Sequence, residues 1–164
     1  MRLRGRVWKY GDNVDTDVII PARYLNTSDP GELAKHAMED LDPSFAASVM
    51  PGDLIVAGRN FGCGSSRQHA PMALKAAGVS AVLAVSFARI FFRNAVNIGL
   101  PVVEVESIQE EVEQGDVLEL DLLSGTVANE RTGKVLRFVP LPPFLLEIVE
   151  LGGLAEYVRR RVLG

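Results

Sequence analysis

A turn reading Gly62-Cys63-Gly64-Ser65-Ser66-Arg67 stands between a short apolar run, Leu54 to Ala57, and a longer apolar run that starts at Ala70. Glycines let a backbone approach a ligand closely. A strand-to-helix turn gathers backbone N–H groups, and this one adds two hydroxyls and a guanidinium. Those are the parts of an anion site, or of a site that stabilises negative charge as it develops in a reaction. The turn has neither the Gly-Lys-Ser/Thr of a P-loop nor the Gly-x-Ser-x-Gly of a nucleophile elbow. The same residues also fit a plain capped helix start, with Ser65 or Ser66 as N-cap and Arg67 solvated.

Two further groups have chemistry open to them. Asp12, Asp15 and Asp17 cluster ahead of a β-branched run. If that run is extended from Asp15 onward, Asp15 and Asp17 share one face, and paired carboxylates tune a proton donor or acceptor. The plainer alternative is a polar turn entering a strand. Arg89 and Arg93, four apart, share a helix face. With Arg67 they make a clamp for a di- or tricarboxylate, or else they are an exposed basic face. His69 lies about one helical turn beyond the serine pair, as a hydrogen-bonding group behind the site or as surface. His36, beside Lys35 and near Glu39, reads as surface. Cys63 reads as a small packing residue, since no base is placed beside it.

The elements that must position these residues follow from periodicity and breakers. Arg6 to Tyr10 alternates and predicts a strand. Asp15 to Ile20 predicts a second extended run that stops at Pro21. Residues 25–30 form a polar loop, and Ser28 or Asp29 caps a helix over Gly31 to Glu39 with Pro30 at its start. Pro43 to Pro51 holds a short element. Residues 54–57 form a strand, Gln68 to Ala77 a helix ended by Gly78, and the wholly apolar Ala81 to Val85 a buried parallel strand. Ala88 to Asn97 has helical spacing, with Ile90, Phe91, Ala95 and Ile98 assigned to one face and Gly99 as the stop. Pro101 to Val105 is a further strand. Residues 53–105 therefore read as strand–helix–strand–helix–strand, a parallel α/β unit. After a short acidic element at Ile108 to Gln114, the runs 117–122, 126–128 and 135–139 predict a small antiparallel β section. Phe144 to Glu150 and Leu154 to Arg161 predict two closing helices.

The 164 residues suit one domain with a real core. A net charge of −4 argues against general nucleic-acid binding by bulk charge. No apolar run approaches the roughly 20 residues of a membrane span. No signal-type apolar core follows Met1-Arg2-Leu3-Arg4, which points to the cytoplasm. With one cysteine and two histidines, the chain offers no intrachain disulfide, no iron–sulfur cage and no multi-His metal site. Metal chemistry, if any, belongs to another chain.

Three segments, in this order, carry a family resemblance: Gly11-Asp12-Asn13-Val14-Asp15-Thr16-Asp17-Val18-Ile19-Ile20-Pro21, then Gly58 through Arg67, then Ser86-Phe87-Ala88-Arg89-Ile90-Phe91-Phe92-Arg93-Asn94. The chain resembles the small subunits of 3-isopropylmalate dehydratases, in the aconitase superfamily. The resemblance implies an α/β fold, the swivelling β/β/α domain of that superfamily, spanning residues 1–164. It implies a hydro-lyase, active only with a large subunit, that interconverts 2- and 3-isopropylmalate in leucine biosynthesis. The 4Fe–4S cluster is expected on that large subunit and no cofactor or metal on this chain; neither a membrane nor a nucleic acid is an expected partner. Ser65 matches the family's general base, acting as an alkoxide, and Asp17 a catalytic-site carboxylate. Ser66 and Arg67 match ligands of the substrate carboxylate. Leu25, Asn26 and Thr27 lie in the loop that faces the substrate's variable group. His69, Arg89 and Arg93 stand behind the reacting groups, and Gln68 replaces the glutamate of the aconitase pattern. Asn26 is neither the apolar residue that suits an isopropyl group nor the arginine that suits an extra carboxylate. A loop without a cation pairs a distal carboxylate poorly, although Arg23 is near enough in sequence to reach in. The alternatives are a homoaconitase, a methyl-substituted malate dehydratase, or a non-enzymatic module binding a carboxylate or phosphate.

Overall fold

The computed structural model describes residues 1–163. Its strands are β1 (Arg2–Lys9), β2 (Leu54–Ala57), β3 (Ala81–Ala84), β4 (Val102–Glu104), β5 (Val117–Asp121), β6 (Thr126–Asn129) and β7 (Val135–Arg137). They form one seven-stranded sheet in the order β4-β3-β2-β1-β5-β6-β7. Strands β1 to β4 pair in parallel and β1, β5, β6 and β7 antiparallel, so the parallel unit and the antiparallel section expected from the sequence meet at β1. All residues of β2 and β3 are buried, which is what a parallel strand covered on both faces requires. In β5 buried residues alternate with less buried ones, because only one face meets the core. A crevice lined by Val102, Val103, Phe138 and Leu141 lies between β4 and the chain that follows β7.

The helices are α1 (Thr16–Ile19), α2 (Pro30–Ala34), α3 (Phe45–Ser48), α4 (His69–Ala77), α5 (Arg89–Asn97), α6 (Ile108–Glu111), α7 (Pro143–Glu150) and α8 (Leu154–Leu163). A 3-10 turn covers Ala22–Tyr24. Helix α4 ends as predicted, on Gly78 with φ +109°. None of the described helices is long and apolar enough to cross a membrane.

Three sequence expectations are corrected. Residues 15–20 do not stay extended: Thr16–Ile19 is a single helical turn, because the Asp15 carboxylate accepts the Val18 amide at 2.8 Å and caps it. Asp15 and Asp17 therefore do not share a strand face. The helix expected over Gly31 to Glu39 runs only through Pro30–Ala34, capped by Asp29, which accepts the Gly31 amide. Beyond Ala34 the chain tightens into three-residue turns, His36 N–H on the Leu33 carbonyl and Ala37 N–H on the Ala34 carbonyl, and Met38, at φ +62°, then turns its amide to the Ile19 carbonyl 2.8 Å away. On α5, Phe91, Ala95 and Val96 are buried, whereas Ile90 is 49% exposed and lies off the core face.

The polypeptide leaves the carboxyl ends of the adjacent parallel strands β1, β2 and β3 at the same edge of the sheet. Those three exits lead into residues 10–21, 58–68 and 85–94, which contain the three segments singled out in the sequence. The crevice beyond the carboxyl ends of parallel strands is where open α/β sheets bind ligands.

Candidate active site

The turn 62–67 is stitched to the segment after β1. The Gly62 amide donates to the Val14 carbonyl at 2.7 Å and the Thr16 amide to the Cys63 carbonyl at 2.9 Å. The Thr16 hydroxyl donates to the Ser65 carbonyl at 2.8 Å. Arg67 closes the row, its Nη1 donating to Asp17 Oδ1 at 3.1 Å and to the Ile20 carbonyl at 3.5 Å. On the other side the turn is tied to the segment after β3, through Phe61 N–H to the Ser86 carbonyl at 3.0 Å and Ala88 N–H to the Phe61 carbonyl at 2.9 Å. Beneath it Phe61, Phe87 and Phe91 pack with ring centroids 5.2 to 6.1 Å apart.

Gly62 is what lets the turn sit this low. Its φ is +82°, and a Cβ there would overlap the Phe91 ring. Gly62→Ala is expected to cost about 3 kcal/mol, from left-handed strain plus a clash that the packed aromatics relieve poorly. Chemical denaturation of the isolated chain measures it; a loss under about 1 kcal/mol would show that the Phe91 contact does not hold the turn.

The turn spends almost none of its own hydrogen-bonding capacity. Among the described residues, the amides of Gly64, Ser65, Ser66, Arg67 and Gln68 have no acceptor, and the hydroxyls of Ser65 and Ser66 bond to no other group. Neither serine caps α4: Gln68 holds the N-cap position and makes no side-chain cap bond. The plain capped-start alternative is thereby set aside. A cavity of about 220 Å³ opens beside the turn, lined by Thr16, Gly62, Gly64, Ser65, Ser66, Arg67, Ala88, Arg89, Ile90 and Phe91. That is smaller than the ~300–1,000 Å³ of pockets for drug-sized ligands, so it suits a small organic anion. Across from the serines lies the start of α5, whose N-cap Ala88 offers no side-chain bond. Its first amides are left free by helix geometry and carry the positive end of the dipole. The cavity is therefore a pocket of donors with Arg89 and Arg67 at its wall, built to receive negative charge.

The sequence-derived candidates separate on this geometry. Ser65, Ser66, Arg67 and Arg89 come together. Asp17 is exposed, does not line the cavity and pairs with Arg67: the guanidinium, and then the Ala22 amide, hold its carboxyl below the ordinary value of 3.8. Asp12 is occupied elsewhere, accepting the Arg59 amide at 2.7 Å. Arg93, one turn farther along α5, is exposed and does not line the cavity. Leu25, Asn26 and Thr27 do not line it either. Their loop touches the site region through Ser28, whose Oγ lies 3.4 Å from His69 Nε2 on the first turn of α4. Arg23 does not reach in: it is held by Asp40 at 2.6 Å and Glu39 at 2.9 Å and lies over the Tyr24 ring. His36 stacks on that same ring and faces Glu39, a packing role that the sequence did not suggest.

Thr16, Ala88, Ile90 and Phe91 line the cavity and were not among the candidates named from the sequence. Thr16 sat between two more conspicuous aspartates, and the one available signal was its place in an Asp-Thr-Asp run. Ile90 was assigned to the core by its apolar character. A 4Fe–4S cluster takes cysteine thiolates. Cys63 is the one cysteine, and burial together with the nearby Asp15 charge raises its thiol above the ordinary value. No group of three or more metal-ligating side chains occurs among the described residues. The donor set of this chain does not fit a cluster.

Comparison with known proteins finds relatives along nearly the whole chain. The aconitase C-terminal domain family matches residues 34–107, the stretch that holds β2 to β4, the turn and α5. The chain is 59% identical over 162 residues to the 3-isopropylmalate dehydratase small subunit of Thermodesulfovibrio yellowstonii, covering 99% of this chain and 96% of that protein. It is 55% identical over 160 residues to the isopropylmalate/citramalate isomerase small subunit of Methanocaldococcus jannaschii, covering 98% and 95%. The crystal structure of a 3-isopropylmalate dehydratase from Methanocaldococcus jannaschii superposes with a TM-score of 0.94 at 45% identity, over 99% of this chain and 96% of that one. A fold built on seven strands with its donor pocket at the carboxyl edge, and near-complete coverage at these identities, place the chain in the family of 3-isopropylmalate dehydratase small subunits, within the aconitase superfamily.

Proposed function

We propose that this chain supplies the base and the carboxylate grip of a two-chain hydro-lyase that interconverts 2- and 3-isopropylmalate in leucine biosynthesis, in the cytoplasm. The observation that carries it is the run of unpaired amides from Gly64 to Arg67, with two unbonded serine hydroxyls, in the wall of a small cavity. A malate-type substrate loses water and regains it with the hydroxyl on the neighbouring carbon. The proton removed lies beside a carboxylate and is weakly acidic, so it needs a strong base. Ser65 as alkoxide is strong enough, provided its charge is stabilised. In this chain the turn amides, the opening of α5 and Arg67 are the groups available for that task. Ser66 and Arg67 grip the substrate carboxylate, and Asp17 holds Arg67 in place before substrate arrives. Iron–sulfur chemistry is left to the large subunit, in keeping with the donor set described above.

The side-chain preference rests on the loop at Leu25, Asn26 and Thr27, which does not line this chain's cavity, meeting the substrate's variable group once the large subunit is in place, and it follows from charge. Arg23 is engaged by Asp40 and Glu39, and no cation occurs at Leu25, Asn26 or Thr27. A second distal carboxylate would be poorly paired there. The chain reconstituted with its cognate large subunit is therefore expected to turn over 2-isopropylmalate at least about tenfold faster, as kcat/KM, than homoaconitate. That tenfold is about 1.4 kcal/mol, within the range set by one unpaired polar group. Citramalate belongs in the same panel, because the Methanocaldococcus relative bears both substrates in its name. Faster turnover of homoaconitate would replace this reading with that of a homoaconitase. No turnover of any hydroxy acid with a competent large subunit would leave a non-enzymatic anion-binding module.

A further inference from the structure

We propose that Thr16 is the positioning residue that sets the orientation of Ser65, an inference that rests on Ser65 acting as the base. Thr16 is only 3% exposed, opens α1 and lines the cavity. Its hydroxyl plays no part in capping α1, because Asp15 does that. It donates instead to the Ser65 carbonyl at 2.8 Å, while the Thr16 amide donates to the Cys63 carbonyl at 2.9 Å. These two bonds grip the turn on either side of Gly64, whose φ is +91°.

The geometric consequence follows from peptide planarity. A carbonyl and the amide after it point in opposite directions across a trans peptide. Holding the Ser65 carbonyl on the α1 side therefore turns the Ser66 N–H away from α1. It also fixes rotation about the Ser65 Cα–C bond, and with it the direction of the Ser65 side chain relative to the turn. Little else does so: Ser65 and Ser66 are exposed, and the next anchor along the chain is Arg67 on Asp17. One buried hydroxyl thus aligns both a base and a donor of the charge-stabilising set. A valine would fill the same space and leave that peptide plane free to rotate.

The test uses the chain reconstituted with its cognate large subunit. Thr16→Val is expected to lower kcat on 2-isopropylmalate by about 10- to 100-fold with KM within about threefold, the signature of a displaced reacting group. Thr16→Ser, which keeps the hydroxyl, is expected to retain more than about half of kcat. In a Ser65→Ala background, Thr16→Val is expected to cost less than about twofold further, because it acts through Ser65. Three results would overturn the assignment: Thr16→Val within about twofold of wild type while Ser65→Ala is inactive; equal losses in the Val and Ser variants with matching falls in Tm, which mark a packing role; or a full additional loss in the Ser65→Ala background. Ser65→Ala retaining activity would remove the reading underneath instead, so the two failures are told apart.

Discussion

Ser65→Ala is expected to lower kcat by at least about 10³-fold, within the 10²–10⁴ that a positioned general base contributes, while KM moves by less than about fivefold. The split follows from the division of labour in the turn. The carboxylate grip belongs to Ser66 and Arg67, so ground-state binding survives the loss of the Ser65 hydroxyl. The change is also clean structurally. Ser65 is exposed and its hydroxyl bonds to no other group among the described residues, so the substitution is expected to alter stability by no more than about 0.5 kcal/mol. Steady-state kinetics at saturating large subunit, beside a melting curve of the isolated chain, check both halves. Activity within tenfold of wild type would remove Ser65 from the chemistry.

Arg67→Gln is the second large expectation, about 10³-fold in kcat/KM. This corresponds to the roughly 2–5 kcal/mol lost when one side of a shielded, hydrogen-bonded charge pair is truncated. Here KM carries a substantial share, because the guanidinium meets the substrate's carboxylate before and during reaction. Glutamine keeps a donor but neither the charge nor the two-pronged geometry. A second readout needs no partner. Arg67, first among the causes, holds the Asp17 carboxyl below 3.8. Such a group favours the folded state above its unfolded value, and that contribution fades as pH falls through the lowered one. In Arg67→Gln the Asp17 carboxyl is expected to titrate closer to its ordinary value, observable by carboxyl-carbon NMR, and this part of the acid-side stability slope is expected to shrink. An unmoved Asp17 titration would mean that the Ala22 amide, and not Arg67, sets it.

The parallel half of the fold was legible in the sequence because its signals are local. The runs 54–57 and 81–84 are short, wholly apolar and bounded by breakers, and the flanking helices end on Gly78 and near Gly99. What escaped was decided by partners far along the chain. Val18, Ile19 and Ile20 have strand propensity, yet the Val18 amide donating to the Asp15 carboxylate and the distant Met38 amide donating to the Ile19 carbonyl favour a helical turn. The second helix stops short at Ala34, and Met38 carries the chain away to Ile19. For the site, residue types named Ser65, Ser66, Arg67 and Arg89, because hydroxyls and guanidinia advertise their chemistry. Thr16 escaped because its value lies in one bond to a backbone carbonyl. Arg93 stands outside the cavity while Arg89 lines it, because i, i+4 spacing gives a shared face but not which end of the helix meets the cavity.

Strand β1 ties these findings together. Its first residues, Arg2 to Arg6, pair with β5, and its last, Val7 to Lys9, pair with β2. No residue of β5, β6 or β7 lines the donor cavity. The antiparallel section can therefore change in sequence, or lengthen at its hairpin around Ser124, without touching the reacting groups, so long as it still presents an edge to the first half of one strand. Over evolutionary time that leaves one end of the molecule free to diverge while the other stays under the discipline of the chemistry, with eight residues of β1 as the boundary between them.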